Sequence, residues 1–167
     1  MKLSSQEEYG LRCLIRVSRE GIEGSVTIAE LSRSEGISEP HVAKMMRVLR
    51  ETGFVTSTRG QAGGYTLARP ADQIVIGHVL AALGGRLFDS NFCGTHAGIG
   101  ASCTHMVDCS IRSVWRTIQS AIDGVLAQLT LKDLLRSEQE MNVWASHHTS
   151  SLPSHSSHVQ TQHIDRL

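Results

Sequence analysis

The sequence predicts a mostly α-helical protein with one small β-hairpin and a cysteine-bearing loop ahead of a long helix. Three observations carry this. Between Ser4 and Gly53, three short amphipathic segments are separated by glycine-containing turns. Between Phe54 and Ala68, two β-favouring runs flank a glycine-rich tip. From Ile111 to Leu129, apolar residues recur at threes and fours, the spacing of one broad helical face.

The first helix starts at Ser4 or Ser5, each followed three residues on by a glutamate, Glu7 or Glu8. In that capping-box spacing the hydroxyl accepts a first-turn N–H and the carboxylate accepts one in return. Leu11, Leu14, Ile15 and Ser18 share a face, and Gly21 and Gly24 close the element. Cys13, among Leu11, Leu14 and Ile15, reads as a small buried hydrophobe. A second helix opens at Thr27, reciprocated by Glu30, and ends near Gly36. A third starts at Ser38, with Pro40 tolerated in the first turn, where amides lack helical partners. Val42, Met45, Met46 and Leu49 form its apolar stripe, and Gly53 suits the position past its end. Helix, glycine turn, helix is the outline of a helix-turn-helix. The runs Phe54–Thr58 and Tyr65–Ala68, joined through Arg59–Gly64, then form the wing of a winged helix.

Ile74 to Leu83 reads as a short packing strand or helix and completes a head of residues 1–83. Residues 84–109 show no sustained period and read as a loop, long enough to be functional. Residues 110–145 hold the long helix and, from a fresh start at Thr130 and Asp133, a C-terminal packing segment with Leu131, Leu134 and Leu135. Residues 146–167 are a polar tail with His147, His148, His155, His158 and His163, expected to be disordered in isolation.

The 16 basic and 16 acidic residues balance, which argues against a general polyanion binder. Locally the balance breaks. Between His41 and Pro70 stand Lys44, Arg47, Arg50, Arg59 and Arg69 against Glu51 alone, a patch able to hold phosphates. Ser38, Glu39, Pro40, His41, Lys44 and Arg47 lie where a recognition helix meets a major groove. Arg59, with Gly60, Gly63, Gly64 and Tyr65 of the hairpin, is placed to enter a minor groove. Double-stranded DNA is therefore the expected partner. Aromatic residues make up only 4% of the chain, so extra apolar surface is expected to be buried between copies. Antiparallel pairing of the long helix would give a homodimer that reads a near-palindromic operator. No stretch reaches the length of a membrane span, and Met1–Glu8 lacks an apolar signal core, which points to the cytoplasm and reduced thiols. Neither a nucleotide loop nor a nucleophile–base set is evident, so no enzyme and no small-molecule substrate are expected.

Cys93, Cys103 and Cys109 are spaced C-x9-C-x5-C on the glycine-rich loop. Zinc sites use tighter C-x2-4-C knuckles. Wider spacing on a flexible segment suits an iron–sulfur cluster, [2Fe-2S] or [4Fe-4S], whose larger body needs spread ligands. His96, His105, Asp108 and Glu8 are the candidates for a fourth ligand, Glu8 reaching across from a partner subunit. Two other readings stay open: a metal-free thiol–disulfide switch and a zinc-stabilised protein-interaction adaptor.

The start Met1–Ser4, Tyr9–Arg12, Ile28–Leu31, Gly36–Ser38, Leu49–Val55, Arg59–Ala68 and the three-cysteine loop ahead of a long helix together resemble the Rrf2 family of bacterial winged-helix regulators. The resemblance runs from Met1 to about Val143. It implies a homodimeric transcription factor carrying an iron–sulfur cluster near the dimerisation helix, with Cys93, Cys103 and Cys109 as ligands. The iron–sulfur-assembly branch places a histidine three residues after the last cysteine, where this chain has Arg112. The nitric-oxide-sensing branch uses an acidic residue near the chain start, donated across the dimer, and Glu8 stands there. Glu8 ranks first as fourth ligand on that ground, before His105 and His96. Operator affinity would then follow cluster status, iron, redox state or nitric oxide, with the chain acting as repressor or activator.

Overall fold

The computed structural model describes residues 4–21, 24–60, 63–89, 91–97, 99–100 and 102–149. Helix α1 spans Ser5–Arg19, α2 Ile28–Glu35 and α3 Glu39–Glu51. Strands β1 (Val55–Thr58) and β2 (Gly64–Leu67) follow, then α4 (Ile76–Gly84), the single turn α5 (Phe92–Thr95), α6 (Ser110–Leu126) and α7 (Glu138–Thr149). The fold is mostly helical with a two-stranded antiparallel sheet, a winged helix.

The caps explain where the head helices begin. Ser4 N–H donates to Glu7 Oε2 at 2.8 Å while Glu7 N–H donates to Ser4 Oγ at 3.3 Å. Thr27 and Glu30 repeat this at 2.8 and 3.2 Å. Each box satisfies amides that a helix start leaves orphaned. Ser38 occupies the corresponding position of α3, but its hydroxyl lies 2.8 Å from His41 Nδ1 and makes no bond to the first-turn amides. Helix α3 ends on a Schellman motif. Phe54 N–H donates to Leu49 O at 2.8 Å and Gly53 N–H to Arg50 O at 3.1 Å, with Gly53 at φ +76°. The chain thereby reverses into β1 with Phe54 buried beside Leu49.

The wing pairs Val55 with Leu67, Thr56 with Thr66, Ser57 with Tyr65 and Thr58 with Gly64. Its free edge is docked to the head: Val26 and Tyr65 exchange both main-chain bonds, at 3.0 and 2.8 Å. A Cβ on Gly64 would come within 2.9 Å of the Val26 carbonyl oxygen, so this close approach requires glycine. Arg69 anchors the base of the wing, donating to Gly53 O at 2.9 Å and lying over the Phe54 ring.

The core is built from Cys13, Leu14 and Val17 of α1, Leu31 of α2, the Val42–Met45–Met46–Leu49 stripe of α3, and Ile76, Val79 and Leu83 of α4. Leu129 and Leu131 also belong to it. The chain leaving α6 returns to the head, where Ile76 N–H donates to Leu129 O at 2.9 Å and Leu131 N–H to Ile74 O at 2.8 Å.

Three expectations shift. Thr130 and Asp133 do close on each other (Thr130 Oγ1 to Asp133 Oδ2, 2.6 Å), but they open only a short 3-10 turn, Asp133–Leu135. Helix α7 begins instead after Ser137, whose hydroxyl and amide are reciprocated by Glu140. It runs to Thr149, taking in the first four residues of the expected tail (146–149), because Met141 and Trp144 pack against the core. The loop 84–109 contains α5, a turn too short to register as a period. The turn residues Gln61 and Ala62 and the tail histidines His155, His158 and His163 lie outside the described residues. Among the described residues no helix is long and apolar enough to cross a membrane.

Candidate cysteine centre and nucleic-acid face

Cys109 is the N-cap of α6, and its Sγ accepts the Arg112 N–H at 3.3 Å. Cys103 Sγ accepts the His105 N–H at 3.5 Å. Cys93 sits in α5. Residues apart in sequence come together in space: Cys93, Cys103 and Cys109 line one cavity of about 190 Å³. His96 and His105 line it too, and Phe88, Phe92, Ile111 and Trp115 supply apolar wall. All three thiols are half-buried and free. The donor set is chemically coherent. Soft sulfurs and imidazole nitrogens behind an apolar shell suit iron–sulfur ligation, and N–H···S bonds are the outer contacts that orient and tune such sulfurs. Among the described residues no three of these groups stand close enough to grip a single metal ion.

Glu8 is exposed on the first turn of α1 and does not line this cavity. Arg112 does line it, with its guanidinium donating to Met106 O at 3.1 Å. It thus pins the loop between Cys103 and Cys109 from the position where a ligand histidine would stand. Gln119, the one buried residue of α6, was not anticipated. It accepts Phe88 N–H and donates to Asp123, both at 2.9 Å, strapping the loop to the helix. A glutamine on the apolar side of an amphipathic helix was the available signal.

The other cysteine is different. Cys13 is fully buried, and burial, reinforced by Glu35 and partly offset by Arg12, pushes its thiol up to about 11.

On the head, Ser38, Glu39, Pro40, His41, Lys44 and Arg47 are all exposed along one end and side of α3. Arg47 is ion-paired to Glu51 at 2.8 Å, which leaves part of its guanidinium fork for other acceptors. Arg59 and Gly60 are exposed on the wing. Arg59 and Lys44 have no ion-pair partner among the described residues. Gly63, Gly64 and Tyr65 are half-buried, and Tyr65 packs on the core, so these residues hold the wing in place.

A helix-turn-helix with a hairpin wing, carrying cations on the recognition helix and wing, is the architecture of a winged-helix transcriptional regulator. The comparisons narrow the class. Residues 3–137 match the Rrf2 family, described as "Iron-dependent Transcriptional regulator", and the chain belongs to that family. It is 35% identical over 141 residues to protein rrf2 of Nitratidesulfovibrio vulgaris, covering 81% of this chain and 88% of that one. Among solved structures it is similar to T. potens IscR, with TM-score 0.63 and 27% identity over 92% of this chain and 93% of that one. It is also similar to CymR, the global cysteine regulator of B. subtilis, with TM-score 0.62 and 26% identity over 81% and 96%.

Proposed function

We propose that the chain is a homodimeric DNA-binding regulator whose operator affinity is set by an iron–sulfur cluster on Cys93, Cys103 and Cys109. One observation carries this reading. The three thiols converge on a cavity at the N-terminal end of α6, while the chain leaving the other end of α6 is built into the head core through Leu129 and Leu131. A 17-residue helix is a rod of about 25 Å. Drawing the cysteine loop together at one end therefore tilts a lever whose other end is seated in the DNA-binding head. The cluster, when bound, supplies iron–thiolate bonds and a centre sensitive to redox state and nitric oxide.

The stripe Ile111, Val114 and Trp115 is 61%, 55% and 37% exposed. Large apolar side chains in a row on a helix mark an interface, and pairing with a second copy would bury them. Each head would then present Ser38 to Arg47 to a major groove and Arg59 to the adjoining minor groove. Cluster binding favours one disposition of the two heads over another, a shift in populations rather than a new fold.

A metal-free thiol switch is the second reading. It is favoured by three free, half-buried thiols around one cavity and by the likeness to CymR. Purification without air separates the two. The cluster reading expects a coloured protein with a visible absorption band and matched iron and sulfide. A colourless protein that still binds duplex would support the thiol switch.

A further inference from the structure

The geometry points to His96 as the fourth cluster ligand, through Nε2, supplied by the same chain as the three cysteines. This inference rests on the cluster reading above.

Three observations single it out. First, His96 lines the cavity that holds all three cysteines, whereas Glu8 does not and would have to arrive from a second copy. Second, the ring is already oriented. His96 Nδ1 lies 2.9 Å from the Phe92 carbonyl oxygen and 3.0 Å from Thr95 Oγ1. A carbonyl oxygen only accepts, so Nδ1 carries the proton, which leaves the lone pair on Nε2. An imidazole that donates one ring N–H to a main-chain carbonyl and offers its other nitrogen is the arrangement ligating histidines adopt. Third, the ring plane is fixed by stacking on Phe92, centroids 4.0 Å apart and 13° between planes, and Phe92 is itself cavity wall.

His105 also lines the cavity, but its contribution is a main-chain N–H on Cys103 Sγ. No hydrogen bond to its ring is found among the described residues. Its imidazole is therefore not held in a tautomer. His96 is the C-cap of α5, the turn that carries Cys93, so the two candidate ligands move with one short element. Arg112, standing where a histidine would follow the last cysteine, orients Cys109 and the loop instead.

The test is pulsed EPR on the reduced cluster of the full chain, assembled without air and labelled with 15N-histidine. The expected result is a nitrogen hyperfine coupling of the size of a directly bound imidazole. It should vanish in His96→Ala, with cluster retention weakened about tenfold or more. His96→Cys should recover iron and sulfide content with no nitrogen coupling, which separates ligation from a merely structural role of the ring. A cluster with no histidine coupling, a coupling that survives His96→Ala, or one that is lost in His105→Ala instead overturns the assignment while leaving the cluster reading intact. Wild-type protein that takes up no iron and sulfide overturns both.

Discussion

Cys13 and the three loop cysteines are the same side chain under opposite conditions. Cys13 is walled in by the α1 face, and its ionised form has no water to stabilise it. The thiol is held up near 11 from an ordinary 9.0. Folding therefore keeps a proton that the unfolded chain gives up in between. The stability this supplies is complete below pH 9 and is lost as pH rises toward 11, on the order of 2 kcal/mol. Urea midpoints of wild type and Cys13→Ala, compared across that window, should converge as pH rises. Arg59 makes the second residue-scale case, because its exposed side chain has no ion-pair partner among the described residues. Arg59→Ala should weaken duplex binding and reduce the salt dependence by about one phosphate contact per protomer, with the fold unchanged. Unaltered affinity would mean the wing does not touch DNA. Cys13 was readable from sequence because its apolar neighbours declare the face it occupies. Arg69 was not. It counts as one more cation in a basic patch, yet its partners are the Gly53 carbonyl and the Phe54 ring, brought close only by the turn between helix and wing.

At the scale of elements, α6 carries two surfaces with different fates. Toward its C-terminus Leu126 packs on the head, while Ile111, Val114 and Trp115 stand exposed. Val114→Asp puts a charge in the middle of that row, and sedimentation should shift from dimer to monomer with helical content retained. In the proposed lever, the segment after α6 is the joint. Leu131 is fully buried in a head core whose other members, Leu129 apart, come from residues far upstream. Leu131→Ala should cost about 2–5 kcal/mol, read from denaturant unfolding, although it touches neither cysteines nor the proposed DNA face. The head helices were legible because Ser4–Glu7, Thr27–Glu30 and Gly53 state their ends in local chemistry. The start of α7 had the same signal in Ser137 and Glu140, hidden by the earlier Thr130–Asp133 pair, which has the spacing of a helix start but closes only one turn. That the C-terminal segment folds back onto α4 has no local signature, since the Leu131 to Ile74 bond joins residues remote in sequence.

For the whole molecule, the cysteine cavity and the recognition helix lie at opposite ends of a continuous path. It runs from Cys109 along α6 to Leu129 and Leu131, and from there through the core to α3. The sequence spacing placed three thiols on one loop, but only the fold shows them sharing a cavity with His96, because α5 and the Gln119 strap set where the loop crosses α6. Coupling between two such sites is typically worth about 1–3 kcal/mol, or roughly 5- to 150-fold in affinity. The decisive measurement is the affinity of the anaerobically prepared protein, with and without the proposed cluster, for a duplex selected from a random library, at fixed salt. The account predicts a difference within that range in wild type and none when Cys93, Cys103 and Cys109 are all changed to serine. Equal affinities for loaded and stripped wild-type protein would contradict it.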